Sequence, residues 1–141
     1  MAPTDADLSA QGKAAFRRTM RVLVVDDMRD TVVSLLAVLR HEGYEAMGVY
    51  DGRTAIRALE EFQPDAVLVD IAMEGMSGWD VAREVRKKFG DDVLLIAITG
   101  TYVKAPDEIL ARVAGFNQFM VKPCDPNTLI QYIEMLRLRQ G

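Results

Sequence analysis

The 141 residues are half hydrophobic and 27% charged, the balance of one globular domain large enough for a single packed core. A net charge of −4 lacks the basic footprint that nucleic acid requires, and no apolar run approaches the ~18 residues that cross a bilayer. The N-terminus has no apolar core like a signal peptide's, and the single cysteine, Cys124, cannot form an internal disulfide, so the expected setting is the cytoplasm, without membrane insertion or direct nucleic-acid contact.

Residues 1–20 stand apart as a leader, polar at first and then basic at Lys13, Arg17 and Arg18, expected to be flexible or partly helical. From residue 21 to 141 short apolar runs alternate with helical patterns, the signature of a parallel sheet covered on both faces. Val22 to Val25 is the first strand. Val32, Leu35, Leu36 and Leu39 then mark one face of a helix that Gly43 closes. Glu45 to Val49 is the second strand, and Asp51 caps a helix with the stripe Ala55, Ile56, Leu59 and Phe62. Pro64-Asp65 ends that helix before a third strand, Ala66 to Asp70. A loop through Gly75 leads to a helix turning Ala82, Val85 and Phe89 inward. The fourth strand closes at Thr99, and a shorter helix from about Pro106 stops at Gly115. The fifth strand runs to Val121. Asp125-Pro126 starts a last helix carrying Leu129, Tyr132, Ile133 and Leu136. Five strands and five helices alternate, with no internal repeat.

Polar residues stand where these strands end: Asp26-Asp27, Asp70, Thr99 and Lys122. In an open parallel sheet, ligands bind in the crevice beyond the carboxyl ends of the strands, so residues ending four strands converge on one spot. Three carboxylates gathered there repel one another, and a divalent cation removes the conflict. Magnesium takes one or two carboxylates, a phosphate oxygen and several waters. Asp27 and Asp70 are the expected direct ligands, with Asp26 acting mostly through water and the backbone carbonyl of Ala72 filling another position. Asp70 is also the candidate nucleophile, since a carboxylate attacks phosphorus to form an acyl phosphate. Lys122 and the Thr99 hydroxyl would offset charge on the transferred oxygens.

With these pieces in this order, the chain resembles the receiver domain of two-component response regulators, the CheY-like superfamily. The resemblance rests on Val-Val-Asp26-Asp27, on Val-Asp70-Ile-Ala-Met-Glu-Gly-Met-Ser-Gly, on Ile-Ala-Ile-Thr99-Gly and on Phe119-Met-Val-Lys122-Pro123. It extends over about Arg21 to Arg137. It implies a flavodoxin-like, doubly wound α/β fold, (βα)5, with strand order 2-1-3-4-5. It implies magnesium at Asp26, Asp27 and Asp70, and a phosphoryl group received on Asp70 from a sensor histidine kinase or histidine phosphotransfer protein. Thr99 and Phe119 would form a switch acting on the face of the fourth helix, fifth strand and fifth helix, where a downstream protein docks, and the Lys122-Pro123 bond would be cis. Glu74 stands where the family commonly has proline, Gly100 where alanine is usual and Phe119 where tyrosine is familiar. Ala72 and Thr101 occupy positions that tune phosphoryl lifetime. The expected function is a stand-alone receiver that signals by protein contact or passes the phosphoryl group along a relay, and is not an enzyme in its own right.

Other classes fit less well. A magnesium-dependent small-molecule phosphohydrolase of the aspartyl type needs a second aspartate at position 72, which is alanine. A nucleotide or flavin module needs a glycine- or hydroxyl-rich loop after the first strand, where this chain has two aspartates. An interaction domain that is never phosphorylated would have no use for the five-residue set. Trp79 reads as core or half-buried surface, Cys124 as an inert small residue, and His41 as a partner for carbonyls at a helix end. The eight methionines read as core filling, with Met28 and Met73 flanking the pocket.

Overall fold

The computed structural model describes residues 19–100 and 105–140; the expected leader, except for its last two residues, and Thr101 lie outside these. Five strands, β1 (Arg21–Val25), β2 (Glu45–Val49), β3 (Ala66–Asp70), β4 (Leu94–Thr99) and β5 (Gln118–Val121), alternate with five helices. The helices are α1 (Arg29–His41), α2 (Gly52–Phe62), α3 (Gly78–Phe89), α4 (Ala105–Ala114) and α5 (Pro126–Gln140). All strand pairs are parallel and the order is β2-β1-β3-β4-β5, the flavodoxin-like arrangement that the family resemblance implies.

The pleat divides the core in two, because successive side chains of a strand face opposite sides. Val22 and Val24 of β1, Leu68 of β3, Ile96 and Ile98 of β4 and Met120 of β5 point to one layer. There they meet Val32, Leu35 and Leu39 of α1 and Leu129, Ile133 and Leu136 of α5. Their neighbours Leu23, Val25, Val67, Val69, Leu95 and Ala97 point the other way, onto Ala55 and Leu59 of α2, Val81 and Val85 of α3, and Ala111 of α4. With both faces covered, the strands can be apolar throughout, which is why β3 and β4 are buried at every position. The packing begins at Met20, buried with its carbonyl accepting from the Glu45 amide. Leu36, Ile56, Phe62, Phe89 and Tyr132 flank the two layers and are only partly buried.

Caps place the helix starts. Asp51 accepts from the Thr54 amide at 2.8 Å, Ser77 and Asp80 form a reciprocal capping box, and Asp125 accepts from the Thr128 amide at 3.2 Å. Gly43 follows α1 at φ +90°, a conformation a residue with a Cβ resists. Gly78, at the first turn of α3, has no room for a side chain. A Cβ there would stand 2.5 Å from the carbonyl oxygen of Asp70, so the helix packs directly against the end of β3.

Candidate functional site

Register builds the site. Val25 is level with Val69, so Asp26 and Asp70, each one residue further, end adjacent strands side by side. Thr99 is level with Val121, and the Lys122 amide donates to the Thr99 carbonyl at 2.8 Å, which brings the end of β5 to the same edge. The pleat then sorts the side chains. Asp26, Asp70 and Lys122 continue the parity of Val24, Leu68 and Met120, while Thr99 and Phe119 continue that of Ala97.

At the centre is the Lys122 ammonium. Its Nζ donates to Asp70 Oδ2 at 2.9 Å and stands 2.7 Å from Asp26 Oδ2. The Asp26 contact is an ion pair, and this wholly buried oxygen meets no other donor among the described residues. The other oxygens are held locally. Asp26 Oδ1 accepts from the Met28 amide and Asp70 Oδ1 from the Ala72 amide, both at 2.9 Å. Asp27 is exposed at the rim. One oxygen from each of Asp26, Asp27 and Asp70 lies within 4.8 Å of the others. The Lys122-Pro123 peptide is cis.

Burial pushes the Asp26 carboxyl above the usual carboxylate range. The Lys122 ammonium and the Met28 amide oppose that rise, and the negative charge of Asp70 adds to it. For Lys122, burial works toward a lower pKa, but its contacts with Asp26 and Asp70 outweigh it and hold the ammonium more basic than usual. Three carboxylates are thus gathered beside one cation, which contacts two of them. An all-oxygen donor set, a residual negative charge and a buried oxygen met only by the ammonium fit a hard divalent ion such as magnesium. Asp26, Asp27 and Asp70 are the residues that would hold it.

A sequence model of the response regulator receiver domain matches residues 22–134, four-fifths of the chain. The chain belongs to this family. Among curated relatives, the receiver is 34% identical over 121 residues to the DNA-binding response regulator MtrA of Mycobacterium leprae, 86% of this chain and 52% of that protein. The MtrA protein of Mycobacterium tuberculosis H37Rv is equally similar. The chain therefore spans about half the length of the curated relatives it matches. The CheY-like receiver domain protein of Methanospirillum hungatei JF-1 superposes with a TM-score of 0.79 at 25% identity, over 88% of this chain and 100% of that one. The chemotaxis protein CheY4 of Vibrio cholerae shares the fold with a TM-score of 0.78 at 23% identity, over 84% and 99%.

Three features of this receiver escape a reading by motif. Met28, expected only to flank the pocket, has its sulfur 3.5 Å from Lys122 Nζ, whereas Met73 is buried in the layer under α2 and α3. Half-buried Trp79 stacks edge-on against Phe116 at 5.7 Å, and Phe116 meets Phe119 at 6.2 Å, so a chain of rings runs from the expected switch to α3. Arg86 donates to the carbonyls of Gly90, Val93 and Gly115 and to Asn117 Oδ1, tying α3 to the turn before β5. Its signal was in the spacing. Ala82, Arg86 and Phe89 share one helical stripe, and a charge on an apolar stripe needs buried partners. Cys124 is half-buried, and burial raises its thiol pKa, in keeping with an inert residue.

Proposed function

We propose that this receiver accepts a phosphoryl group on Asp70 from the phosphohistidine of a sensor kinase or a histidine phosphotransfer protein. The observation that carries this is one ammonium shared by Asp26 and Asp70 at 2.7 and 2.9 Å, with a third carboxylate beside them. Asp70 attacks phosphorus through a carboxylate oxygen as the bond to the histidine nitrogen breaks, and the electron pair leaves with the imidazole. Asp26, Asp27 and Asp70, with the Ala72 carbonyl, would hold magnesium, which when bound would neutralise charge on the incoming group. Lys122 is within reach of any oxygen bonded at Asp70. It exchanges a carboxylate for a phosphoryl oxygen without leaving its place. Thr99, at the end of the adjacent strand, donates its hydroxyl to a second phosphoryl oxygen.

Thr99 and Phe119 share a face of the sheet, which supports their role as the switch. Signal output then falls to α4, β5 and α5, where Ile109, Val113, Val121, Met135 and Leu138 are exposed. A face so rich in exposed apolar side chains suits contact with another protein. The receiver signals through such contacts or hands the phosphoryl group on, in the cytoplasm. No helix among the described residues is long and apolar enough to cross a membrane.

The test is to incubate the protein with magnesium and a small acyl-phosphate donor and weigh it intact. One base-labile phosphoryl group on wild type and none on Asp70→Asn is the expected result. No adduct on wild type, or an undiminished one on the variant, overturns the reading.

A further inference from the structure

Met28 occupies the N-cap of α1, the position where Ser, Thr, Asp or Asn normally accepts a bond from the first-turn amides. Its side chain makes no such bond. It is also 55% exposed, so the packing of the core does not hold its side chain. A local rule broken in this way is expected where a side chain serves a site rather than the fold. The partner is the phosphoacceptor's own lysine, with Met28 Sδ 3.5 Å from Lys122 Nζ. Lys122 then has three neighbours for its three N–H groups: the carboxylates of Asp26 and Asp70 and this thioether. A thioether is a weak acceptor, so the ammonium surrenders it readily to a phosphoryl oxygen. The backbone of Met28 is held in place too, because its amide donates to Asp26 Oδ1 at 2.9 Å.

We infer that Met28 is a positioning residue whose side chain covers Lys122 and the phosphoryl group on Asp70, slowing hydrolysis by keeping water from the mouth of the site. This rests on Asp70 being the phosphoacceptor. In hydrolysis a water oxygen bonds to phosphorus as the bond from phosphorus to the Asp70 oxygen breaks. The electron pair returns to the carboxylate, and the water's protons leave with inorganic phosphate or to solvent. An apolar chain beside the ammonium occupies space that this water would use and contributes no group that could activate it.

The test separates this role from a structural one by sign. Met28→Ser installs a good N-cap and raises the melting temperature by about 3 °C. It also uncovers the site, so the phosphorylated protein decays roughly three- to tenfold faster, read as loss of the base-labile phosphoryl mass with time. Met28→Ala speeds decay similarly without the gain in stability. Met28→Leu restores the cover and brings decay back to within about twofold of wild type. Faster decay in the serine and alanine variants with recovery in leucine supports the inference. Unchanged decay in the serine variant, or a leucine variant as fast as alanine, overturns Met28's role while leaving Asp70 as the acceptor. A wild type that takes no phosphoryl group overturns both.

Discussion

Replacing Lys122 by methionine removes the only cation among the described residues that touches Asp26 and Asp70, both of which are almost inaccessible to solvent. The three carboxylate oxygens stay within 4.8 Å of one another. At an effective dielectric of about 20, two unit charges about 5 Å apart repel by roughly 3 kcal/mol. The cluster has a second way out, which is to protonate one carboxyl; near pH 7 that costs about 4 kcal/mol for a group with an ordinary pKa. The two routes are close in cost, so the metal-free Lys122→Met protein loses about 3 kcal/mol near pH 7. That agrees with the ~3–5 kcal/mol for removing one partner of a buried ion pair. Protonation becomes easier by about 1.4 kcal/mol for each pH unit, so the loss shrinks to roughly 1 kcal/mol near pH 5. Saturating magnesium restores most of it, because binding to the folded state alone stabilises that state. Urea melts of wild type and variant at both pH values, with and without magnesium, give all four numbers. A loss below about 1 kcal/mol near neutral pH, or one that neither acid nor magnesium reduces, refutes the picture of a carboxylate cluster held together by one cation.

Asp26 carries a pKa raised chiefly by burial. A carboxyl with a raised folded pKa favours folding while it is protonated, and that contribution is lost as pH rises from its unfolded value of about 3.8 through the folded one. Asp26→Asn should flatten the fall in metal-free stability across that window, and urea midpoints that fall as steeply as wild type's would count against burial as the cause. Arg86→Met takes a donor from four acceptors, of which Asn117 Oδ1 keeps another in the Leu95 amide, and should cost about 3 kcal/mol, with Arg86→Lys recovering less than half because one ammonium cannot span them. Denaturant titration measures both, and a methionine variant within about 1 kcal/mol of wild type contradicts the role given to the network. Trp79 is the sole tryptophan and touches Phe116, which touches Phe119. Phosphorylation should therefore change its emission, and Phe116→Leu should abolish the change. Identical spectra of labelled and unlabelled wild type would disconnect Trp79 from the switch.

The fold was legible because each strand of a doubly wound sheet is buried on both faces and therefore reads as an unbroken apolar run. Ala66 to Val69 and Leu94 to Ile98 allow few other assignments. The site was legible for a related reason. A charged residue immediately after such a run has left the sheet at its carboxyl edge, so Asp26, Asp70 and Lys122 had to meet once the strand order was known. Motif position carries no information about distance or face, and the two discoveries of the structure lie there. Lys122 is shared between Asp26 and Asp70 rather than assigned to either, and Met28 meets it because its own amide is pinned by Asp26. The parity of the pleat adds a division of labour. Asp26, Asp70 and Lys122 belong to the side of α1 and α5, whereas Thr99 and Phe119 belong to the side of α2, α3 and α4. On the proposed function, a phosphoryl group on Asp70 would have its charge met by Lys122 on the first side and its presence reported by Thr99 from the second. Chemistry and signalling would then meet across the thickness of one sheet. Changes under α4 should alter what a partner sees while leaving the acceptance of phosphate intact.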